Sequence, residues 1–327
     1  MNAEAVRSFP GFSGAKNQLR RDELGQPFFR KTGQGRVGLK LQAQGEWYNR
    51  HRGLRHIPAV RSAGWRGEEF LLELEYINGV TLSHWIHSKS AIKPAPFVFS
   101  QIVDAIGQSL HRPSVVTRLD LERDNYILDK LIAKVGEVRS RCVSVESLMH
   151  SPELTINGTR YLNFSKVMER LLNDKTKLNQ LALCRPSPVH GDLTLQNIMI
   201  TFDDFYFIDP NDENVLSTPL IDYAKLLQSL DSGYETLVQL DTQCFEVTPS
   251  TVNYRVPKDP QVQGLKELLL SRLKIRLYDW ELKQLDFHQA VHLARLLPYQ
   301  LAYNPLRVPL FYAEMIRKLN QFVDACP

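Results

Sequence analysis

The 327-residue chain is poor in cysteine and has no long apolar run. No run approaches the roughly 20 residues that a membrane-spanning helix needs, and residues 1–7 contain no apolar signal region. The cysteines form no paired spacing, which disfavours both a disulfide framework and a zinc site and favours a reducing compartment. They are Cys142, Cys184, Cys244 and Cys326. We therefore expect a cytoplasmic protein without a membrane span.

The chain also lacks internal repeats and low-complexity tracts, and its net charge of +4 is mild. That charge is uneven, because residues 25–66 contain nine Lys or Arg residues and one acid, Glu46. Such a region can face phosphate, bind nucleic acid or be a solvated basic face. No interleaved aromatic pattern supports a nucleic-acid surface. We favour a solvated face with some phosphate contact, and we expect no nucleic-acid partner.

The most informative stretch is residues 190–209. An acid, Asp192, is followed five residues later by an amide, Asn197, and then by a second acid, Asp209. Magnesium-dependent phosphoryl transfer needs one carboxylate at the attacking hydroxyl, and it needs an amide oxygen and a second carboxylate to hold the metal against the phosphates. The alternative is a turn that has these residues by chance.

The local pattern explains how distant residues can meet. Residues 198–200 and 205–208 read as short buried strands, with Asp203-Asp204 as turn chemistry between them. The predicted hairpin brings Asp209 back beside the loop that holds Asp192 and Asn197. Strands on both sides and a correctly placed second acid favour the catalytic interpretation over the chance turn.

The spacing H-x-D-L-x-x-x-N is the catalytic-loop signature of protein-kinase-like enzymes, here with Gly191 where protein kinases have arginine. The H-G-D form followed by I-D-P resembles the aminoglycoside phosphotransferase and choline kinase group of small-molecule kinases, and particularly methylthioribose and fructosamine kinases. The resemblance implies that Asp192 is the catalytic base, that Asn197 and Asp209 are metal ligands, and that His190 supports the catalytic loop.

A buried lysine paired with a helix glutamate aims an ammonium at the nucleotide phosphates in kinase folds. Residues 28–31 read as a strand and residues 39–54 as a helix, so Lys31 and Glu46 are the expected pair. Lys40, on the helix or at its start, is the alternative lysine. An exposed strand lysine and a solvated helix glutamate are the structural alternatives.

Two glycine-containing segments precede the helix. Residues 11–17 resemble the short phosphate-covering loop of aminoglycoside phosphotransferase-like enzymes, which implies that Gly11, Ser13 and Gly14 approach the nucleotide; an ordinary surface turn is the alternative. Residues 33–38 match G-x-G-x-x-G, but no acid lies about 20 residues further on, as a dinucleotide site would require. We interpret residues 33–38 as a flexible connector between strand and helix.

The stretch E-Y-I-x-G-x-x-L, which begins at Glu75, looks like the hinge between the lobes of these kinases. The resemblance implies that the backbone around Glu75, Tyr76 and Ile77 hydrogen-bonds adenine. An ordinary strand-to-helix turn is compatible with that role. We expect a strand over residues 71–76 and a helix that begins within residues 80–85, capped by Thr81 or Ser83.

The remainder is mostly helical by period. The apolar spacing predicts helices within 97–110, 126–138, 167–181, 220–230, 262–282, 287–297 and 311–323, and loops at 89–96, 151–158 and 246–260. Asp222 lies in a D-Y-A-K segment similar to one that follows the metal loop in aminoglycoside phosphotransferase-like proteins. The resemblance implies a supporting tie to the catalytic loop.

The expected fold is therefore an α+β, bilobal protein-kinase-like fold. Residues 1–78 are expected to form a nucleotide-binding lobe of a small sheet with one main helix, and residues 79–327 a larger, mostly helical lobe for catalysis and acceptor binding. The resemblance implies an ATP- and Mg²⁺-dependent kinase.

The resemblance implies that the acceptor is a hydroxyl of a small molecule, and the chain also has no A-P-E motif and no recognisable activation loop. We favour a sugar or sugar derivative. Aminoglycosides and amino alcohols remain alternatives, as do an atypical protein kinase and a pseudokinase regulator. A choline-type acceptor would want an aromatic and acidic cage, for which the candidates are Tyr278, Asp279, Trp280, Glu281 and Tyr303.

Overall fold

The computed structural model describes residues 5–9, 14–88, 94–211, 213–257 and 259–325. Fourteen strands and thirteen α-helices are assigned there. The strands are β1 (Ala5–Phe9), β2 (Lys16–Arg21), β3 (Pro27–Gln34), β4 (Val60–Arg66), β5 (Glu69–Glu75), β6 (Val80–Thr81), β7 (Thr117–Arg118), β8 (Glu153–Ile156), β9 (Thr159–Leu162), β10 (Leu183–Cys184), β11 (Ile198–Ile200), β12 (Phe205–Phe207), β13 (Phe245–Thr248) and β14 (Thr251–Tyr254).

The helices are α1 (Gly35–Arg50), α2 (Leu82–Ile86), α3 (Ala95–Ala105), α4 (Asp120–Asn125), α5 (Ala133–Arg139), α6 (Val143–Met149), α7 (Phe164–Asn173), α8 (Lys175–Ala182), α9 (Pro219–Leu230), α10 (Tyr234–Gln239), α11 (Pro260–Arg276), α12 (Asp279–Tyr303) and α13 (Val308–Ala325). Two π-helical segments, Ile106–Leu110 and Tyr126–Ile132, continue α3 and α4. No helix in the described ranges has both the length and the apolar character needed to cross a membrane.

Two compact units make up the chain. Unit 1 comprises Met1–Ala91, Gln108–Leu110 and His190–Asn214, and unit 2 comprises Ile92–Gly107, His111–Val189 and Val215–Pro327. The stretch that contains the H-G-D and I-D-P motifs therefore belongs to the same compact unit as the N-terminal sheet. The functional division at residue 78 stays a prediction.

Unit 1 is built on an antiparallel sheet in the order β1-β2-β3-β5-β4. Alternate residues of β5 face the core, and α1 covers the sheet with Leu41, Trp47 and Tyr48, which are almost fully buried. This small core fixes the position of α1 against β3, which carries Lys31.

The G-x-G-x-x-G segment is not a flexible connector. Strand β3 runs to Gln34 and α1 begins at Gly35, so the segment is the junction itself and the predicted helix 39–54 begins and ends four residues earlier. A Cβ on Gly33 would lie 2.4 Å from the Val37 side chain, and one on Gly38 would lie 2.7 Å from that of Trp65. These glycines are required for close strand-to-helix packing.

The predicted hairpin is confirmed. Strands β11 and β12 pair antiparallel with Ile198 opposite Phe207 and Ile200 opposite Phe205. A third strand, β6, pairs with β11, and α2 follows it from Leu82, within the range expected for the helix start. Thr81, one of the two expected caps, accepts a hydrogen bond from the His84 N–H at 3.3 Å.

Unit 2 is mainly helical, and two of its predicted helices are each divided in two. Asp174 separates α7 from α8 and caps α8 through the Lys177 N–H at 3.0 Å. Tyr278 separates α11 from α12, and the Glu281 carboxylate accepts its N–H at 2.9 Å. Side-chain capping explains both breaks, because each cap starts a new helix within a stretch where the apolar period predicted a single one.

Two hairpins lie where loops were expected. Strands β8 and β9 pair across Asn157-Gly158, and both turn residues have positive φ, 48° and 81°. Strands β13 and β14 form the second hairpin, and β14 pairs in parallel with β8 to complete a four-stranded sheet. The predicted loops at 151–158 and 246–260 are therefore wrong in part.

The core of unit 2 contains two histidines on successive turns of α12. Burial lowers the pKa of His288 to about 3 and, with Lys225 nearby, that of His292 well below its ordinary value. Both side chains are therefore neutral in the folded protein near neutral pH. His292 donates from Nε2 to the Ile221 carbonyl oxygen at 3.1 Å, which ties α12 to α9.

These histidines predict a loss of stability in mild acid. Below pH ~6.5 the unfolded chain binds protons that the folded histidines exclude, so the free energy of unfolding should fall by up to ~1.4 kcal/mol per pH unit for each histidine. Urea unfolding between pH 7 and 4.5 measures this slope. His288→Leu should flatten it, whereas a variant with the wild-type slope would contradict the assignment.

Candidate active site

The turn predicted to be catalytic, residues 190–192 and named the catalytic turn, depends on a glycine. Gly191 has a φ of +81°, and a Cβ there would lie 1.9 Å from the Asn211 carbonyl oxygen and 2.2 Å from the Asn214 Nδ2. Only glycine meets both the left-handed backbone and the space available. The replacement of the usual arginine by Gly191 therefore lets residues 211 and 214 approach the turn closely.

Asp192 and Asn197 are joined directly. The Asn197 Nδ2 donates to the Asp192 carbonyl oxygen at 2.7 Å and to the Asp192 Oδ2 at 3.1 Å. These bonds hold the Asp192 carboxylate in a fixed orientation. Because the Asn197 nitrogen faces Asp192, the Asn197 Oδ1 is the atom that can face a cation.

The metal turn, residues 208–211, has a strained backbone at its acid. Asp209 has a φ of 57°, a conformation that a non-glycine residue adopts only when its surroundings impose it. Its N–H donates to the Tyr48 hydroxyl oxygen at 3.0 Å, and the neighbouring Ile208 N–H donates to the Asn197 carbonyl oxygen at 2.9 Å. The Asp209 side chain stays 42% exposed, so it can accept a ligand.

His190 links the two turns. Its Nε2 donates to the Ile208 carbonyl oxygen at 2.8 Å, its Nδ1 accepts the Asp192 N–H at 3.3 Å, and its own carbonyl oxygen accepts the Asn211 N–H at 2.8 Å. This pattern defines a neutral imidazole with the proton on Nε2. The edge of Trp47 also packs against the ring, with 5.7 Å between centroids. The fully buried His190 thus fastens both turns to each other.

Lys31 reaches the metal turn from β3. Its side chain is only 6% exposed, and its Nζ contacts the Asp209 carboxylate and the Gln44 Oε1, the latter at 3.0 Å. The buried lysine is therefore Lys31, and the alternative Lys40 lies on α1, partly exposed. The hairpin and its flanking turns supply His190, Asp192, Asn197 and Asp209, and the sheet supplies Lys31.

The expected pairing of Lys31 with Glu46 is wrong. Glu46 is exposed and accepts a hydrogen bond from the Gln42 Nε2 at 3.0 Å, while Gln44 takes the place beside the lysine. Helical phase explains the difference. The face of α1 towards the core has Gly38, Leu41, Gly45 and Tyr48, which places Gln44 beside that face and Glu46 about 200° away from Gln44.

Residues that the sequence reasoning missed complete the arrangement. Gln44 donates from Nε2 to the Pro210 carbonyl oxygen at 3.0 Å, and Tyr48 accepts the Asp209 N–H. Burial, together with the Asp209 charge, raises the pKa of Tyr48 well above its ordinary value. Its hydroxyl therefore stays protonated and neutral next to Asp209. The helical period of α1 could have placed both side chains on one face.

The basic region of unit 1 is partly neutralised. Ion pairs join Arg30 to Glu73, Arg55 to Asp204 and Arg61 to Asp22, in addition to Lys31 with Asp209. Part of the excess positive charge is therefore structural. The phosphate-contact role of Lys31 stays a prediction.

The remaining residues predicted to contact the nucleotide lie in the glycine-containing loop of residues 11–17 and at residues 75–77. Gly11 and Ser13 lie outside the described residues, and Gly14 has a φ of +79°. The Glu75 N–H is already bonded to the Ala59 carbonyl oxygen at 2.8 Å, whereas Tyr76 and Ile77 follow the end of β5 in irregular backbone. The adenine role of residues 75–77 stays a prediction.

Two predictions concern unit 2. Asp222 is fully buried and accepts a hydrogen bond from the His111 Nε2 at 2.9 Å, which is compatible with a supporting role. The suggested ammonium cage contains an internal cation, because Arg185 pairs with Glu281 at 2.7 Å and lies over the Tyr278 ring at 4.7 Å. This occupancy argues against a choline-type site there.

The donor set suits magnesium. Mg²⁺ is commonly bound by one or two protein oxygens together with substrate phosphates and water, and the Asn197 Oδ1 and the Asp209 carboxylate are oxygen ligands of that kind. Across the described ranges, no group of three or more His, Cys, Asp or Glu side chains is placed to hold a metal. A Mg²⁺ ion held by these two residues would take its remaining ligands from phosphate and water oxygens.

The sheet with its covering helix, the joined turns and the helical second unit define a protein-kinase-like α+β fold. The fold is similar to that of a protein assigned as a fructosamine-3-kinase from Haemophilus somnus 129PT, with a TM-score of 0.53, 14% identity and coverage of 97% of this chain and 92% of that chain. It is also similar to that of a type I macrolide 2′-phosphotransferase, with a TM-score of 0.52, 12% identity and coverage of 94% and 90%.

No family model matches the chain, and no curated protein matches it with significant sequence similarity. At 12–14% identity the two structures define the fold alone. They confirm the protein-kinase-like fold that the H-G-D and I-D-P motifs implied.

The geometry of the catalytic turn predicts a steep cost for Gly191→Ala. The matched control is Gly25→Ala, because Gly25 also has a positive φ, +77°, but has open space around its Cβ position. The control should lose ~1–2 kcal/mol from the left-handed backbone, and Gly191→Ala should lose a further ~1–3 kcal/mol from the clash with Asn211 and Asn214. Urea unfolding of both variants measures the difference, and equal losses would contradict the close approach.

Proposed function

We propose that the protein is a phosphotransferase that moves the γ-phosphoryl group of ATP to a hydroxyl of a small molecule, with a sugar or sugar derivative as the favoured acceptor class. The observation that carries the proposal is the joining of Asp192, Asn197, Asp209 and Lys31 through hydrogen bonds within unit 1. Carboxylate, amide oxygen, second carboxylate and ammonium are the groups that phosphoryl transfer from ATP requires.

Asp192 would accept the proton of the attacking hydroxyl. Its carboxylate is oriented by Asn197, so it can hold the hydroxyl in line with the phosphorus and take the proton as the new bond forms. Positioning of this kind accounts for much of the rate in a loose, largely dissociative transition state.

Asn197 and Asp209 would hold Mg²⁺, which when bound neutralises charge on the transferring phosphates. Lys31 would place its ammonium against the same phosphates once Asp209 turns to the cation. The ion pair between Lys31 and Asp209 supports this exchange of partners. The Asp209 carboxylate would bind Lys31 in the absence of ligand and Mg²⁺ in its presence.

Two observations support a small-molecule acceptor. Asp209 is followed ten residues later by the start of α9, Pro219–Leu230, which leaves little room for a peptide-binding activation segment. The two structures with the same fold are of proteins named as a fructosamine-3-kinase and a macrolide 2′-phosphotransferase, and both names describe phosphorylation of small molecules. The second name keeps an antibiotic as the alternative acceptor. The Arg185 guanidinium already lies at Tyr278 and Glu281, which disfavours an amino alcohol as the acceptor there.

A single screen tests the activity. ATP consumption is measured against sugars, glycated amines, amino alcohols, aminoglycosides and macrolides, with a peptide mixture as the protein-kinase arm. We expect turnover with a sugar-type member and none with peptides. Turnover with peptides alone would contradict the small-molecule assignment.

The roles of the two acids predict separable losses. Asp192→Asn should lower turnover by ~10²–10⁴-fold while nucleotide affinity changes little, because the proton acceptor is removed but the phosphate contacts remain. Asp209→Asn should lose the gain in nucleotide affinity that Mg²⁺ provides. Asp203→Asn, in the exposed turn of the same hairpin, is the control and should behave as the wild type. Turnover in both site variants at the wild-type rate would reject these roles.

A further inference from the structure

Gln44 is the one side chain from α1 that touches both Lys31 and the metal turn among the hydrogen bonds of the described residues. Its Oε1 accepts from the Lys31 Nζ at 3.0 Å, and its Nε2 donates to the Pro210 carbonyl oxygen at 3.0 Å. Lys31 in turn contacts Asp209, the residue before Pro210. The four residues close a ring of contacts around the base of the metal turn.

The Gln44 amide makes both bonds of this ring, which an ionised carboxylate could not do. A carboxylate accepts hydrogen bonds and donates none when ionised, whereas a glutamine side chain does both at once. A glutamate at position 44 would keep the lysine but leave the buried Pro210 carbonyl oxygen without its donor. The one acid of the basic region, Glu46, points away from Lys31 and cannot take over.

The amide, unlike a carboxylate, adds no negative charge beside the lysine. The ring contains one positive charge on Lys31 and one negative charge on Asp209, and Gln44 adds none. When Asp209 turns to a cation, the ammonium of Lys31 keeps a neutral partner that fixes its direction without neutralising it. Its full charge then remains for a phosphate at close range, where a neighbouring carboxylate would weaken the attraction.

We propose that Gln44 is the positioning residue that couples the phosphate-binding lysine to the metal turn through a neutral amide bridge from Lys31 to Pro210. The inference rests on the proposed function, since it assigns the coupling between two parts of that same site. It makes the position of Lys31 depend on an amide, where the expected arrangement used an acid.

The experiment measures binding of the β,γ-imido analogue of ATP by calorimetry, in Mg²⁺ and in EDTA, with thermal unfolding of the same samples. Gln44→Glu keeps the lysine contact and loses the Pro210 bond, and Gln44→Met loses both bonds with little change in shape. Asn49→Asp makes the same kind of amide-to-acid change at an exposed position of α1 and is the matched control.

We expect Gln44→Glu to reduce the Mg²⁺-dependent gain in affinity by ~10-fold, from one lost hydrogen bond and one added negative charge near the phosphates. Gln44→Met should also weaken binding in EDTA, because Lys31 loses the hydrogen bond that orients its ammonium group. Both variants should unfold at a somewhat lower temperature than Asn49→Asp, because each loses the bond to the Pro210 carbonyl oxygen. Asn49→Asp should bind the analogue as the wild type does.

Two results would overturn the inference while leaving the proposed function intact. One is an affinity of Gln44→Glu for the analogue that equals that of the wild type in both Mg²⁺ and EDTA. The other is a loss of affinity in Gln44→Glu that is equal in Mg²⁺ and in EDTA, which would make Gln44 a purely structural residue. If the wild type itself bound the analogue no better with Mg²⁺ than without it, the proposed function would fail and this inference with it.

Discussion

The arrangement of the site depends on the hydrogen bonds that join the catalytic turn to the metal turn. His190 donates from its ring to the Ile208 carbonyl oxygen and accepts from the Asn211 N–H through its own carbonyl oxygen. These bonds lie in a fully buried position, where a lost partner is costly. They hold Asp209 in a left-handed conformation that its own backbone disfavours.

The rest of the site is built around this joint. Gly191 supplies the close approach that lets residues 211 and 214 pack against the catalytic turn. Helix α1 supplies Trp47 against His190, Tyr48 under Asp209 and Gln44 against Pro210. Helix α1, the long helix among the described residues of unit 1, therefore helps to fix the position of the metal turn. In the proposed phosphoryl transfer, these residues would act chiefly by position and charge.

Much of this arrangement could be predicted from the sequence where the signal was local. The apolar runs on either side of Asp203-Asp204 predicted the hairpin, and the hairpin brought Asp209 near Asn197. The partner of Lys31 could not be found from charge alone. Glu46 was the one acid in its region, yet the helical phase of α1 turned it to solvent and placed Gln44 beside the lysine. The turn Asn157-Gly158 contained a strong hairpin signal that the loop prediction overlooked.

The most direct test of the account is the position of a bound cation. Crystals of the protein with Mn²⁺ and the β,γ-imido analogue of ATP would locate the metal by its anomalous scattering. The account predicts a peak bonded to the Asn197 Oδ1 and the Asp209 carboxylate, with Lys31 released from Asp209 to the phosphates. A metal and nucleotide bound at a place that touches neither Asn197 nor Asp209 would contradict it.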